Sequence, residues 1–187
     1  MTQSFPDAVW FKFESEVDLV TQSEYGGRRL VYRGGLGEPP EPLNRAQIID
    51  IDIGTGDPIT PSPLVINTPT LLGSEIISWQ VYPVETILAE KLHSLVTKGS
   101  ANSRAKDIFD VWLLLSRADQ KTLKKALKAT FSYREDVLPK NIGGLLKEMD
   151  QSLLKKGWKS AASYVRSAKS FDVTIFQVIE ALENWGI

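Results

Sequence analysis

The stretch "VYPVETILAEKLHSLVTKG" (81–99) decides the fold, because the chain changes period inside it. From Pro83 on, apolar residues fall at 84, 87, 88, 92, 95 and 96, the spacing of one helix face. Proline at the helix start, Glu85 in the first turn, and Lys98 and Gly99 at the end are coherent start and stop signals. Upstream, the period is two. "VWFKFE" (9–14), "VDLV" (17–20) and "RLVYR" (29–33) read as strands, with "EYGGR" as a turn before the last. "AQIIDIDIG" (46–54) alternates strictly, with Ile49, Ile51 and Ile53 on one face and Asp50 and Asp52 on the other. "GLGEPPEPLN" is a loop, and "GDPITPSPLVIN" is a proline-rich segment leading into a short strand.

Downstream the helical pattern persists. "NSRAKDIFDVWLLLSRA" (102–118) offers Asn102 or Ser103 as N-cap and a buried stripe of Ile108, Val111, Trp112 and Leu115. "DQKTLKKALKATFSYR" (119–134) is amphipathic, and helices are expected over 142–156, 158–169 and 172–185. Strands first and helices after means an α+β fold, with a β-rich part over 1–82 and a helical region over 83–187.

Composition excludes several classes of chemistry. The 187 residues contain no cysteine, so there is no disulfide, zinc–thiolate site or thiol nucleophile, which fits a cytoplasmic protein. A single histidine, His93, excludes a multi-histidine metal site and is expected to be structural. A metal here would be a hard ion held by carboxylates. No apolar run approaches the ~18 residues of a membrane helix. The N-terminus has no basic segment followed by an apolar core, so neither a signal peptide nor a membrane partner is expected. The formal charge of −1 hides an asymmetry: residues 1–99 carry 7 Lys/Arg against 13 Asp/Glu, and residues 100–187 carry 15 against 10. Such a division suits cations in one half and polyanions in the other, or two unrelated solvated surfaces.

Four groups of residues carry candidate chemistry. Asp50 and Asp52 share a strand face. Asp52 is followed by Gly54 and Gly56, which permit close backbone approach to a ligand. Lys91 sits at the edge of an apolar helix stripe, where it can snorkel, pair with a carboxylate or hold a phosphate. Asp107 and Asp110 lie at i and i+3 with Arg104 and Lys106 close by. Asp107 suits a helix-dipole role, worth roughly 0.3–1 kcal/mol, or the role of a general base. Lys121, Lys124, Lys125 and Lys128 form one stripe, with Lys155, Lys156, Lys159, Arg166 and Lys169 beyond. The stripe is either a solvated face or a track for a nucleic-acid backbone.

Three of these stretches, "IDIGTGD" (51–57), "YPVETILAEKL" (82–92) and "NSRAKDIFDVWLL" (102–114), stand in an order and spacing that resemble the AbiEii/AbiGii-type toxin family of nucleotidyltransferase-like proteins. These belong to abortive-infection and toxin–antitoxin systems. The resemblance implies a polymerase-β-like core in which an antiparallel sheet carries metal-binding carboxylates and a helical region closes the cleft. It implies Mg²⁺, a nucleoside triphosphate and an acceptor such as tRNA or another RNA. By that likeness Asp52, with Asp50 beside it, corresponds to the metal-binding carboxylates, and Lys91 to the triphosphate-binding lysine, with Arg104 and Lys106 to hold anionic groups. Asp107 corresponds to the acid that activates the acceptor, with Asp110 its neighbour. The family's Gly-Gly-Ser/Thr turn and following Asp-x-Asp pair have no counterpart ahead of "IIDIDIG". The expectation is therefore a chain that is weak or inactive alone, or a homodimer through an exposed sheet edge. The alternative is a non-catalytic nucleotide- or RNA-binding remnant.

Overall fold

The structure is a computed structural model that describes residues 2–4, 8–19, 26–70, 73–163, 165 and 168–187. Glu24 and Tyr25 of the expected "EYGGR" turn, and Arg166, lie outside the described residues. The chain forms two compact units, Met1–Asp57 and Pro58–Ile187. The expected division at 82–83 marks where strands give way to helices. The compact units instead divide at 57–58, so that two later strands belong with the helices.

The first unit is an antiparallel sheet in the order β1 (Thr2–Ser4), β2 (Val9–Asp18), β3 (Gly27–Leu36) and β4 (Gln47–Gly54). The stretches 9–14 and 17–18 are one strand, interrupted by a bulge between Phe13 and Ser15. Glu14 at that bulge accepts from Arg33 Nε at 2.9 Å. The β3–β4 register sets Leu30 opposite Ile51 and Tyr32 opposite Ile49, with Phe13 opposite Tyr32 on the next strand. One face is therefore largely apolar, as the alternation of isoleucines predicts, with the Arg28–Glu16 pair at its end. It is not a closed core, since Ile51 and Ile53 remain exposed. Gly27 explains part of the "YGG" signal: a Cβ there would lie 2.8 Å from the Ile53 carbonyl oxygen, too close for any side chain.

In the second unit, β5 (Leu64–Pro69) and β6 (Ile76–Val81) form an antiparallel hairpin. Among the described residues six α-helices follow: α1 (Val84–Lys98), α2 (Ala105–Leu115), α3 (Gln120–Tyr133), α4 (Ile142–Glu148), α5 (Ser152–Ala161) and α6 (Phe171–Asn184). The single helix expected over 142–156 is two helices, because the chain turns at Met149–Gln151, where Asp150 accepts from Ser152 N and Oγ. The helix expected over 158–169 is the end of α5, which stops at Ala161.

The core belongs to these helices. Leu88, Leu92 and Leu95 of α1, Ile108 and Val111 of α2, Leu123 of α3, Leu146 of α4 and Val178 and Leu182 of α6 are fully buried. Helix α1 packs against α2, α3 and α4, and α2 packs against α5 and α6. Neighbouring helices thus hold α1 and α2 side by side, and each presents a charged residue at the edge of its apolar stripe. No helix is long and apolar enough to cross a membrane among the described residues.

Candidate active site

Helix α2 starts one or two residues later than its N-cap signals suggest. The expected cap, Asn102 or Ser103, gives way to Arg104. The buried Asn102 side chain instead braces the approach: its Oδ1 accepts from Arg104 N at 2.8 Å and its Nδ2 donates to Ser94 O at 3.2 Å. That clamp ties the α2 entry to α1 and places Asp107 in the first turn, where the helix dipole favours an anion.

Lys91, near the middle of α1, reaches both acids of α2. Its Nζ lies 2.7 Å from Asp110 Oδ2 and 3.2 Å from Asp107 Oδ1. Burial pulls the Lys91 pKa down, but the Asp110 hydrogen bond and the charges of Asp107 and Asp110 outweigh it, and the ammonium is held above its ordinary range. Asp107 is buried, with its side chain 3% exposed, so it depends on these partners. Its second oxygen, Oδ2, is buried without a hydrogen bond. Arg104 Nε stands 3.2 Å away, close enough to compensate the charge but not aligned as a donor. Arg104 itself is mostly exposed. A buried acceptor with a free lone pair costs about 1–3 kcal/mol, a cost that catalytic groups commonly carry.

The structure therefore brings Lys91, Arg104, Asp107 and Asp110 together. Lys106, one residue before Asp107, is exposed and makes no ion pair with a described residue. His93 is structural, as expected: it is buried against Phe131 and bonded through Nε2 to Asp136 Oδ2 at 2.7 Å. Arg134 approaches its Nδ1 at 3.1 Å. A guanidinium only donates, so Nδ1 accepts and the proton sits on Nε2.

Asp50 and Asp52 belong to the first unit and share one face of β4. Arg29 lies directly opposite Asp52 on β3 and grips it with two bonds, Nε to Oδ1 at 2.6 Å and a terminal nitrogen to Oδ2 at 2.8 Å. This grip holds the Asp52 carboxyl below its ordinary range. Asp50 is exposed and adds to the field that raises the Arg29 pKa, behind the Asp52 bond and charge. Arg29 is the site residue that sequence reasoning missed. The β3–β4 register, which pairs Gly27 with Gly54, sets 29 opposite 52.

These residues do not fit a resident Mg²⁺ ion in this state. Both Asp52 oxygens accept bonds from the Arg29 guanidinium, whose positive charge opposes a cation beside them. Among the described residues no three or more His, Asp or Glu side chains are grouped so as to hold a metal.

A family model described as "Nucleotidyl transferase AbiEii toxin, Type IV TA system" matches residues 3–174. No curated protein and no solved structure matches the chain.

Proposed function

The chain belongs to the AbiEii family of nucleotidyl transferase toxins, and on that premise we propose that it transfers a nucleotide from a nucleoside triphosphate to an RNA acceptor such as tRNA. The observation that carries this reading is the orphan oxygen of Asp107, buried beside a paired lysine. In the resting state two acids neutralise Lys91. An arriving triphosphate, bearing more negative charge, draws the Lys91 ammonium and the exposed Arg104 toward itself. Asp107 then loses the cations that neutralise it. It accepts the proton of the acceptor hydroxyl as that oxygen attacks the α-phosphorus, and the bond to the leaving pyrophosphate breaks. Asp110 keeps Lys91 oriented between turnovers. Mg²⁺ enters as the counterion of the nucleoside triphosphate.

The test is direct. The chain is incubated with Mg²⁺, each labelled nucleoside triphosphate and total tRNA, and label is followed into RNA. Label is expected with the wild type and lost with Asp107→Asn and Lys91→Met. Label that survives both changes removes the roles given to these residues.

A second reading, a nucleotide- or RNA-binding protein without transfer, is favoured by one observation, the two-point hydrogen-bonded pair of Arg29 with Asp52. On that reading nucleotide binds and no label reaches RNA.

A further inference from the structure

We propose that the lysine face of α3 is the surface on which an RNA backbone lies, which rests on the transfer reading only in calling that RNA the acceptor. Lys121, Lys124, Lys125 and Lys128 fall on one side of α3, and Leu123, Ala126, Leu127, Thr130 and Phe131 are buried on the other. The helix "QKTLKKALKATFSY" contains no acidic residue. None of the four lysines forms an ion pair with a described carboxylate, whereas Lys91, Lys147 and Lys155 all do. Asp119, at the N-cap, feels Lys121 and Lys125, but its Oδ1 is bonded to Thr122 N and Oγ1.

This face works against the stability of its own helix. Lys121–Lys125 and Lys124–Lys128 are like-charge pairs at i, i+4, each destabilising by a few tenths of a kcal/mol. Lys121 also stands in the first turn, the end where the helix dipole disfavours a cation. Beyond the field of Asp119 on Lys121 and Lys125, no carboxylate pairs with these lysines among the described residues, and a polyanion would relieve the repulsion.

The chemistry favours RNA over protein or membrane. A protein interface needs an apolar centre, yet within α3 the only exposed large apolar residue is Tyr133 at its last position. A membrane-bound helix needs a free apolar face, and here that face is in the core. Phosphates ask only for point charges along a line, which lysines supply. The row spans about 10 Å. Ser132, exposed one turn beyond Lys128, extends it with a hydroxyl donor.

The experiment measures binding of a fluorescein-labelled RNA hairpin by anisotropy across a salt series. It compares the full-length wild type, the variant Lys121→Gln, Lys124→Gln, Lys125→Gln, Lys128→Gln, and a control in which Arg45, Lys98, Lys140 and Lys147 become Gln. Both variants lose four positive charges, so only their location differs. Glutamine is a good helix former, so the α3 variant is expected to fold with an unchanged or higher Tm. Its affinity is expected to fall at least about tenfold at moderate salt, with the salt slope reduced by about 3, near 0.7–0.9 per lysine. The control should stay within about twofold of wild type. No RNA binding by the wild type, equal weakening of both variants, or a polyglutamate peptide that displaces RNA at matched charge would each overturn the assignment. Lysine-dependent binding by a chain that transfers no label refutes transfer and leaves this surface standing. Transfer that persists with α3 stripped of its lysines, with unchanged RNA affinity, does the reverse.

Discussion

Lys91 Nζ lies 2.7 Å from Asp110 Oδ2, an ion pair that ties the middle of α1 to the first turns of α2. The same ammonium reaches the buried Asp107, so one cation balances two acids of different exposure. Replacing Lys91 with methionine keeps the stem and removes the charge. It leaves Asp107 buried with only the unaligned Arg104 near it. The expected cost is about 2–3 kcal/mol, toward the low end for a broken buried pair because Lys91 is partly solvated, or roughly 5–10 °C in Tm. Urea denaturation measures it. Adding Asp107→Asn to Lys91→Met should recover part of the loss, with a coupling energy of about 1 kcal/mol or more.

The same cluster predicts a loss of stability in alkali. The folded pKa of Lys91 is raised above the unfolded value of about 10.4. A group raised in this way contributes stability that is fully present below the unfolded value and is lost as pH rises through the folded one. The wild type and Lys91→Met should therefore differ most well below the unfolded value and converge as pH rises through the raised folded one. Other lysines and tyrosines titrate in both proteins, so the difference between their urea midpoints isolates Lys91.

The helices are legible in the sequence because their signals are local. Pro83, Glu85, Lys98 and Gly99 bound α1 in the structure as their residue types predict, and the Ile49–Ile51–Ile53 alternation gives the faces of β4. Lys91 is recognisable as an edge residue, with pairing among its open roles. Its partners are not fixed by spacing, because Asp107 lies 16 residues away and only the α1–α2 packing brings it near. The cap of α2 is displaced because Asn102 bonds backward to Ser94 as well as forward to Arg104, a choice made by tertiary contacts. Arg29 escapes a sequence reading because strand periodicity gives the face of a residue but not the register that sets it opposite Asp52.

Gly27 offers a test of the sheet that carries Asp52. A Cβ at this position would meet a backbone oxygen rather than the tip of a flexible side chain, so β3 and β4 must separate locally to admit it. Gly27→Ala should cost about 1–3 kcal/mol and weaken hydrogen-exchange protection along β4. Gly26→Ala, whose nearest neighbour would be Thr55 Oγ1 at 3.5 Å, should leave both unchanged.

The Arg29–Asp52 pair decides whether β4 has a role in binding a cation. Asp52 is depressed chiefly by its Arg29 hydrogen bond, against a smaller opposing effect of desolvation. The pair's contribution is thus present above the unfolded value of about 3.9 and is lost as pH falls through the folded one. Arg29→Gln should return the Asp52 carboxyl to its ordinary titration range, read from its side-chain ¹³C resonance. Because the pair is exposed, Tm should change little. Mg²⁺ has to compete with a guanidinium in the wild type and with none in Arg29→Gln. If β4 ligates a cation, Mg²⁺ should therefore shift the Asp50 and Asp52 carboxyl resonances in Arg29→Gln at concentrations that leave the wild type unmoved. The same titration with Asp52→Asn in place of Arg29→Gln should show no such shift. If Mg²⁺ leaves the Arg29→Gln resonances unmoved as well, the pair is a cross-strand tie between β3 and β4, and Mg²⁺ chemistry in this unit is ruled out.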